Sequence, residues 1–186
     1  MSNFTHFMVG LTNSSPPNVP QQITRLRDAS TLFCAAWSKD DIAQAQRASA
    51  EAMTAFDHIC NAFLRAKDDA KSHGTYSGSA LEIHMNKNLG LLVSPVTREE
   101  QQANVEGPQP LGNGRLPERA GPIQPAAFHV ALNKIKHRVG QLSNFRIEAA
   151  RHIMVVAGDF NQRPDYMFEF DVIEFCDQCN DGAALI

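Results

Sequence analysis

Three features of this 186-residue chain predict an α+β fold. A heptad repeat of apolar and small residues runs from Ile42 to Ala66, which calls for one long helix. The helical spacing before it breaks at Ser38, so an earlier helix must fold back on the long one. Three apolar runs, Phe145–Ile147, Ile153–Ala157 and Tyr166–Ile173, then follow one another with turn formers between them, the pattern of an antiparallel meander. Apolar residues make up 43% of the chain and charged residues 20%, enough to bury a core in a single domain spanning 1–186.

Residues 1–20 are expected as an extended lead-in, because Pro16, Pro17 and Pro20 oppose a helix there. Phe4, Phe7, Val9 and Leu11 fit a short strand or an apolar strap over the core. Residues 21–71 read as an antiparallel helical hairpin. Its first helix carries Ile23, Leu26, Phe33, Cys34 and Trp37 on one face. Ser38 is the expected cap of the second, with Asp41 three residues on. In that second helix Ile42, Ser49, Phe56 and Phe63 repeat every seven residues, and Ala45, Ala52, Ile59 and Ala66 do the same three residues out of phase. Phe56 and Phe63 are expected against Leu26, Phe33 and Trp37. The seam also suits pairing with a second copy, so a homodimer through the hairpin is a second expectation.

Leu81, Ile83 and Met85 alternate with Glu82, His84 and Asn86, which reads as a strand, with a second one returning over Leu89–Val96. Residues 97–125 show no periodicity and hold five of the ten prolines, so a long mobile loop is expected. Residues 126–186 read as a helix with Phe128, Leu132, Ile135 and Val139 on one face and Gly140 as its stop, then the meander, then a short C-terminal helix from about Val172 to Cys179.

A net charge of −3 excludes a globally basic nucleic-acid protein. The charge is nevertheless uneven. Lys134, Lys136, Arg138, Arg146 and Arg151 face only Glu148 in their stretch, whereas from Asp159 to Asp181 the carboxylates face only Arg163. The two stretches either bind a polyanion through the basic one or neutralise each other across the sheet. No apolar run reaches the ~18 residues of a membrane span, and Met1–His6 lacks a basic, apolar leader pattern. A soluble cytoplasmic protein that does not bind a membrane is therefore expected, with its four cysteines reduced.

Four constellations bear on chemistry. On a helix, Asn133, Lys134, His137 and Arg138 share a face, and with Lys136 they form a basic site for a nucleic acid or an acidic protein partner. The same cations also suit an ordinary helix C-terminus. Arg146 and His152 are separated by five residues, a spacing that resembles the Arg-x(4–6)-His signature of HEPN ribonucleases, a helical-bundle family. That resemblance implies Arg146 on the scissile phosphate and His152 in proton transfer, with His137 as a further candidate.

The run Ile153–Ala157 ending in Gly158-Asp159-Phe160-Asn161 resembles the metal-dependent endonuclease/exonuclease/phosphatase family. The resemblance implies phosphodiester hydrolysis with Asp159 and Asn161 at a Mg²⁺ site. Gly, Asp and Asn are equally turn formers. Cys176 and Cys179 form one Cys-x-x-Cys, which offers two of the four ligands a structural zinc needs and otherwise fits the buried face of a helix. Neither a Gly-rich phosphate loop nor a Gly-x-Ser-x-Gly elbow occurs, so no cofactor is expected. The leading expectation is a small binding or regulatory protein; the sequence leaves open whether it is an enzyme.

Overall fold

The computed structural model describes residues 18–106, 111–118 and 122–186. Helix α1, Val19–Trp37, starts on Asn18, whose side chain accepts from the Gln21 backbone N–H. Pro20 sits in its first turn, where a missing N–H costs nothing. The lead-in expected through residue 20 is therefore corrected at Val19 and Pro20, while the strand or strap expected of Phe4, Phe7, Val9 and Leu11 lies outside the described residues. Ser38–Asp41 link α1 to the long helix α2, Ile42–Ser72. Asp41, not Ser38, caps α2, accepting from Gln44 N–H.

The hairpin packs on one face of a five-stranded antiparallel sheet of order β2-β1-β5-β4-β3. Its strands are β1 Asn88–Val93, β2 Gln124–Ala127, β3 Asn144–Glu148, β4 Arg151–Phe160 and β5 Arg163–Asp171. The fold is α+β. The heptad seam faces the chain's own sheet and last helix: Phe56 meets Phe170 and Phe175, and Phe63 meets Phe128 and His84. The ring partners expected for them among α1 residues are thus corrected; Phe33 and Trp37 pack on Phe145 instead. Among the described residues no helix is long and apolar enough to cross a membrane.

Residues 81–86 are the clearest departure from expectation. Residues 81–85 belong to a short helix, α3 Ala80–Met85, with Asn86 as its C-cap, and not to a strand. Ser79 accepts from Glu82 N–H and Glu82 accepts from Gly78 N–H, so both ends of the cap are satisfied locally. Leu81, His84 and Met85 are then buried at helical spacing and Ile83 is exposed. Gly90, at φ +64, makes the bulge between Leu89 and Leu91 that bends β1, a left-handed position that favours glycine.

The mobile loop expected over 97–125 is corrected in its described part. Thr97 and Glu100 form a capping box for helix α4, Arg98–Ala103. Gln101 is fully buried and donates to Gly158 O, and Asn104 donates to Leu142 O. This segment covers the second face of the sheet, where Val93, Val96, Val155, Ala157 and Met167 form a smaller core. Strand β4 is thereby buried on both faces, which is why its sequence reads as a continuous apolar run.

Helix α5, Phe128–Lys136, ends four residues before Gly140, with His137 at its C-cap. The meander β3–β4–β5 turns through Ala149-Ala150 and Asn161-Gln162, all four at positive φ, so each strand runs further than the apolar pattern alone implies. Helix α6, Val172–Gly182, is capped by Asp171 and closes the far end of the core.

Candidate ligand-binding site

A cavity lies where the first half of α2 passes over β3 and β4. It has a volume of about 440 Å³, within the usual range of roughly 300–1,000 Å³ for small-molecule sites. One wall is aromatic. Phe33 and Trp37, one turn apart on α1, lie nearly parallel at 6.1 Å, and Phe145 from β3 meets both edge-on. His152 from β4 stacks on Phe33 at 4.7 Å and 10°. The facing wall is α2, and there the seam carries small side chains, Ala45, Ser49 and Ala52. The void exists because the hairpin and sheet are held apart by the rings while these positions leave the gap unfilled. Gly112, at φ +88, comes close enough to Trp37 that an added Cβ would stand 3.2 Å from its ring.

The polar side chains on the lining are Gln46, Ser49, Arg138, Ser143, Asn144 and His152. Ser30 Oγ and His152 Nδ1 lie 2.9 Å apart. The other imidazole nitrogen, Nε2, is buried and has no hydrogen-bond partner among the described residues. Burial pushes the His152 pKa down to about 4, so the ring is neutral at pH 7, with one donor and one acceptor nitrogen. Among the described residues, Arg138 is the only charged side chain on the lining. Its Nη1 donates to Asp57 Oδ1 at 2.9 Å and to Ile135 O at 2.8 Å.

A larger cavity of about 740 Å³ lies beside Asn18 and Ile186. Its polar side chains, His58, Asn61, Arg65 and Asp69, are all exposed, so it offers no desolvated group to a ligand.

The structure separates most of the residues that sequence singled out. Arg146 pairs across the ladder with Ile153, and His152 with Ile147, so Arg146 and His152 occupy opposite faces of the sheet. Arg146 instead makes a two-pronged ion pair with Glu169, at 2.6 and 2.9 Å, and its Nε donates to Glu148. Both residues lie on strands rather than on a helix, and the convergence that the ribonuclease reading requires is missing. His137 is exposed at the end of α5.

Asp159 accepts from Arg98 at 2.7 Å, and Asn161 stands in the β4–β5 turn at φ +49. Among the described residues no three His, Cys, Asp or Glu side chains are grouped to hold a metal ion. Cys176 and Cys179 are buried on the inner face of α6 as free thiols. Burial pushes the Cys176 pKa up to about 12 and raises that of Cys179 as well, so both remain protonated and fill core.

The basic stretch is largely spent inside the molecule. Lys134 pairs with Asp165 at 2.8 Å and lies over the Tyr166 ring, while Arg138 pairs with Asp57. Arg151 pairs with Asp171 and Glu174. Asn133 donates to His129 O within its own helix. Of the proposed basic face, Lys136 and His137 are the exposed members. Mutual neutralisation across the sheet is thus the arrangement adopted by most of these charges.

Sequence reasoning picked out His152 and Arg138, in other roles, and missed Phe33, Trp37, Ser49 and Phe145 as parts of one site. The available signal was the change of side-chain size along the heptad seam, from Ala45, Ser49 and Ala52 to Phe56, Ile59 and Phe63. No family model, no curated protein and no solved structure matches this chain.

Proposed function

We propose that this chain is a small cytoplasmic binding protein whose ligand is a largely apolar small molecule held in the cavity between α2, β3 and β4. The observation that carries this reading is a cavity of about 440 Å³ with an aromatic wall and a desolvated histidine beside it. Burial keeps the His152 ring neutral, so this part of the wall is uncharged toward an apolar ligand. Aromatic walls supply contact area without ordering flexible side chains. Four free cysteines, three of them buried, accord with a reducing compartment.

Trp37 is the sole tryptophan and lines the cavity, so its indole N–H gives a single local reporter in a ¹⁵N-labelled sample. Titration with 2-naphthamide, a neutral planar probe, is expected to shift that resonance saturably. The absence of a saturable shift up to the solubility limit of the probe overturns the reading.

A second reading keeps the end of α5 as a contact for a nucleic acid or an acidic protein, supported by exposed Lys136 and His137. It expects binding that weakens steeply with salt, and a salt slope reduced by about one on Lys136→Ala. Absence of binding to RNA and DNA at low salt removes its nucleic-acid form.

A further inference from the structure

We infer that the cavity takes a ligand joining a planar aromatic body to one anionic group, with Arg138 receiving the anion. This inference rests on the pocket-binding reading above and specifies the chemistry of its ligand.

The shape argument comes from the rings. His152, Phe33 and Trp37 form a stack whose successive planes differ by 10° and 16°, and Phe145 closes it edge-on. A flat body fits beside such a wall, because offset stacking and edge contacts both suit aromatic quadrupoles. The facing Ala45, Ser49 and Ala52 leave clearance for a thin body, and Ser49 and Gln46 are the polar side chains on that wall.

The charge argument comes from Arg138. Its side chain is only 13% exposed, and among the described residues no carboxylate lines the cavity with it. Nη1 is occupied by Asp57 and Ile135 O, while Nε and Nη2 have no acceptor among the described residues. A guanidinium is always charged and presents adjacent N–H groups in the spacing of a carboxylate or phosphate edge. Asp57 is 55% exposed, so water screens its hold on Arg138. A cationic ligand meets repulsion here. A neutral one forgoes the charge-assisted hydrogen bonds that an anion makes to those N–H groups.

The test compares two near-isosteric probes that differ in charge, 2-naphthoate and 2-naphthamide, titrated into the full chain with the Trp37 indole resonance as readout. The expected result is 2-naphthoate bound on the order of tenfold more tightly. Arg138→Gln should bring 2-naphthoate to the affinity of the amide and leave the amide within about twofold. Because that variant also removes the pair with Asp57, Asp57→Asn provides a check outside the cavity wall: freeing Arg138 from its competing carboxylate should tighten 2-naphthoate a few-fold and leave 2-naphthamide unchanged. Equal affinity of the two probes for the wild-type chain overturns the inference and leaves the pocket reading standing. A preference that survives in a folded Arg138→Gln variant overturns the role of Arg138. No saturable shift with either probe overturns both readings together.

Discussion

The hairpin meets the sheet in two halves that share one heptad seam. In the half toward Ser72 the seam presents Phe56, Ile59 and Phe63, all at most 1% exposed. They interlock with Phe128, Phe170 and Phe175. In the half toward Ile42 the same seam positions carry Ala45, Ser49 and Ala52, and the space they vacate is the cavity. Backbone, period and neighbouring strands are continuous between the halves. Along this seam the change from large to small side chains accompanies the change from interlocked rings to a cavity, and it leaves the helix and its amphipathic face intact.

The largest expected effect is in the solid half. Phe56→Ala should lower the free energy of unfolding by about 3–5 kcal/mol, because the surrounding rings cannot collapse into the space. Urea denaturation reads this directly; a loss below about 1 kcal/mol would mean that the two halves are equally loose.

Acid tests the other half. His152 is neutral in the fold, its pKa pushed by burial from 6.5 to about 4. The unfolded chain therefore binds a proton that the folded chain refuses. Stability is complete above pH about 6.5 and falls as pH drops toward about 4, by up to roughly 3 kcal/mol from this residue. His152→Phe, which keeps a ring against Phe33, should flatten the dependence in that window. Burial lowers the pKa of His84 too, so a residual slope of the same sign should survive. An unchanged slope in the variant would show that His152 is solvated.

Small-to-large substitutions sharpen the contrast. Ala48→Leu, at a buried position that does not line the cavity, should cost about 1–3 kcal/mol through overpacking. Ser49→Leu places its added carbons in existing free space and should change stability by less than about 1 kcal/mol. It should also abolish the 2-naphthamide shift of Trp37. Equal costs at the two sites would contradict the division into halves.

The smallest effect is expected at the surface ion pair between α1 and α6. Arg27 and Asp177 are 2.6 Å apart but 41% and 62% exposed. Asp177→Asn should therefore shift stability by less than about 1 kcal/mol, and added salt should shrink even that. A larger loss would make surface charge, rather than packing in either half, the agent that holds the hairpin down.

Much of the candidate site was legible piecemeal and not as a site. The stop at Ser38, the α2 seam and the apolar runs of the meander are local patterns, and they set the hairpin and the sheet. Residues 80–85 show the limit of such patterns. Six residues of alternating polarity satisfy a strand and a short helix alike, and the Ser79–Glu82 cap settled it. In the same way, Thr97–Glu100 nucleated a helix inside a proline-rich stretch that has no apolar period. Short capped helices carry little hydrophobic periodicity, so the cap is the only local signal they leave.

By itself the sequence determined the α+β class, the hairpin, the meander and the buried face of each long element, because period and propensity act between residues near in the chain. Tertiary structure decided everything that depends on strand register and on which charges meet. A register that pairs Arg146 with Ile153 sends Arg146 and His152 to opposite faces of the sheet. Contacts between residues far apart in sequence joined Arg146 to Glu169, Lys134 to Asp165 and Arg138 to Asp57, removing most of a basic patch that composition alone implies. The cavity is likewise a tertiary product. Its rings come from α1, β3 and β4 and its free volume from α2, and no local interaction relates the volume missing on one element to the rings standing on three others.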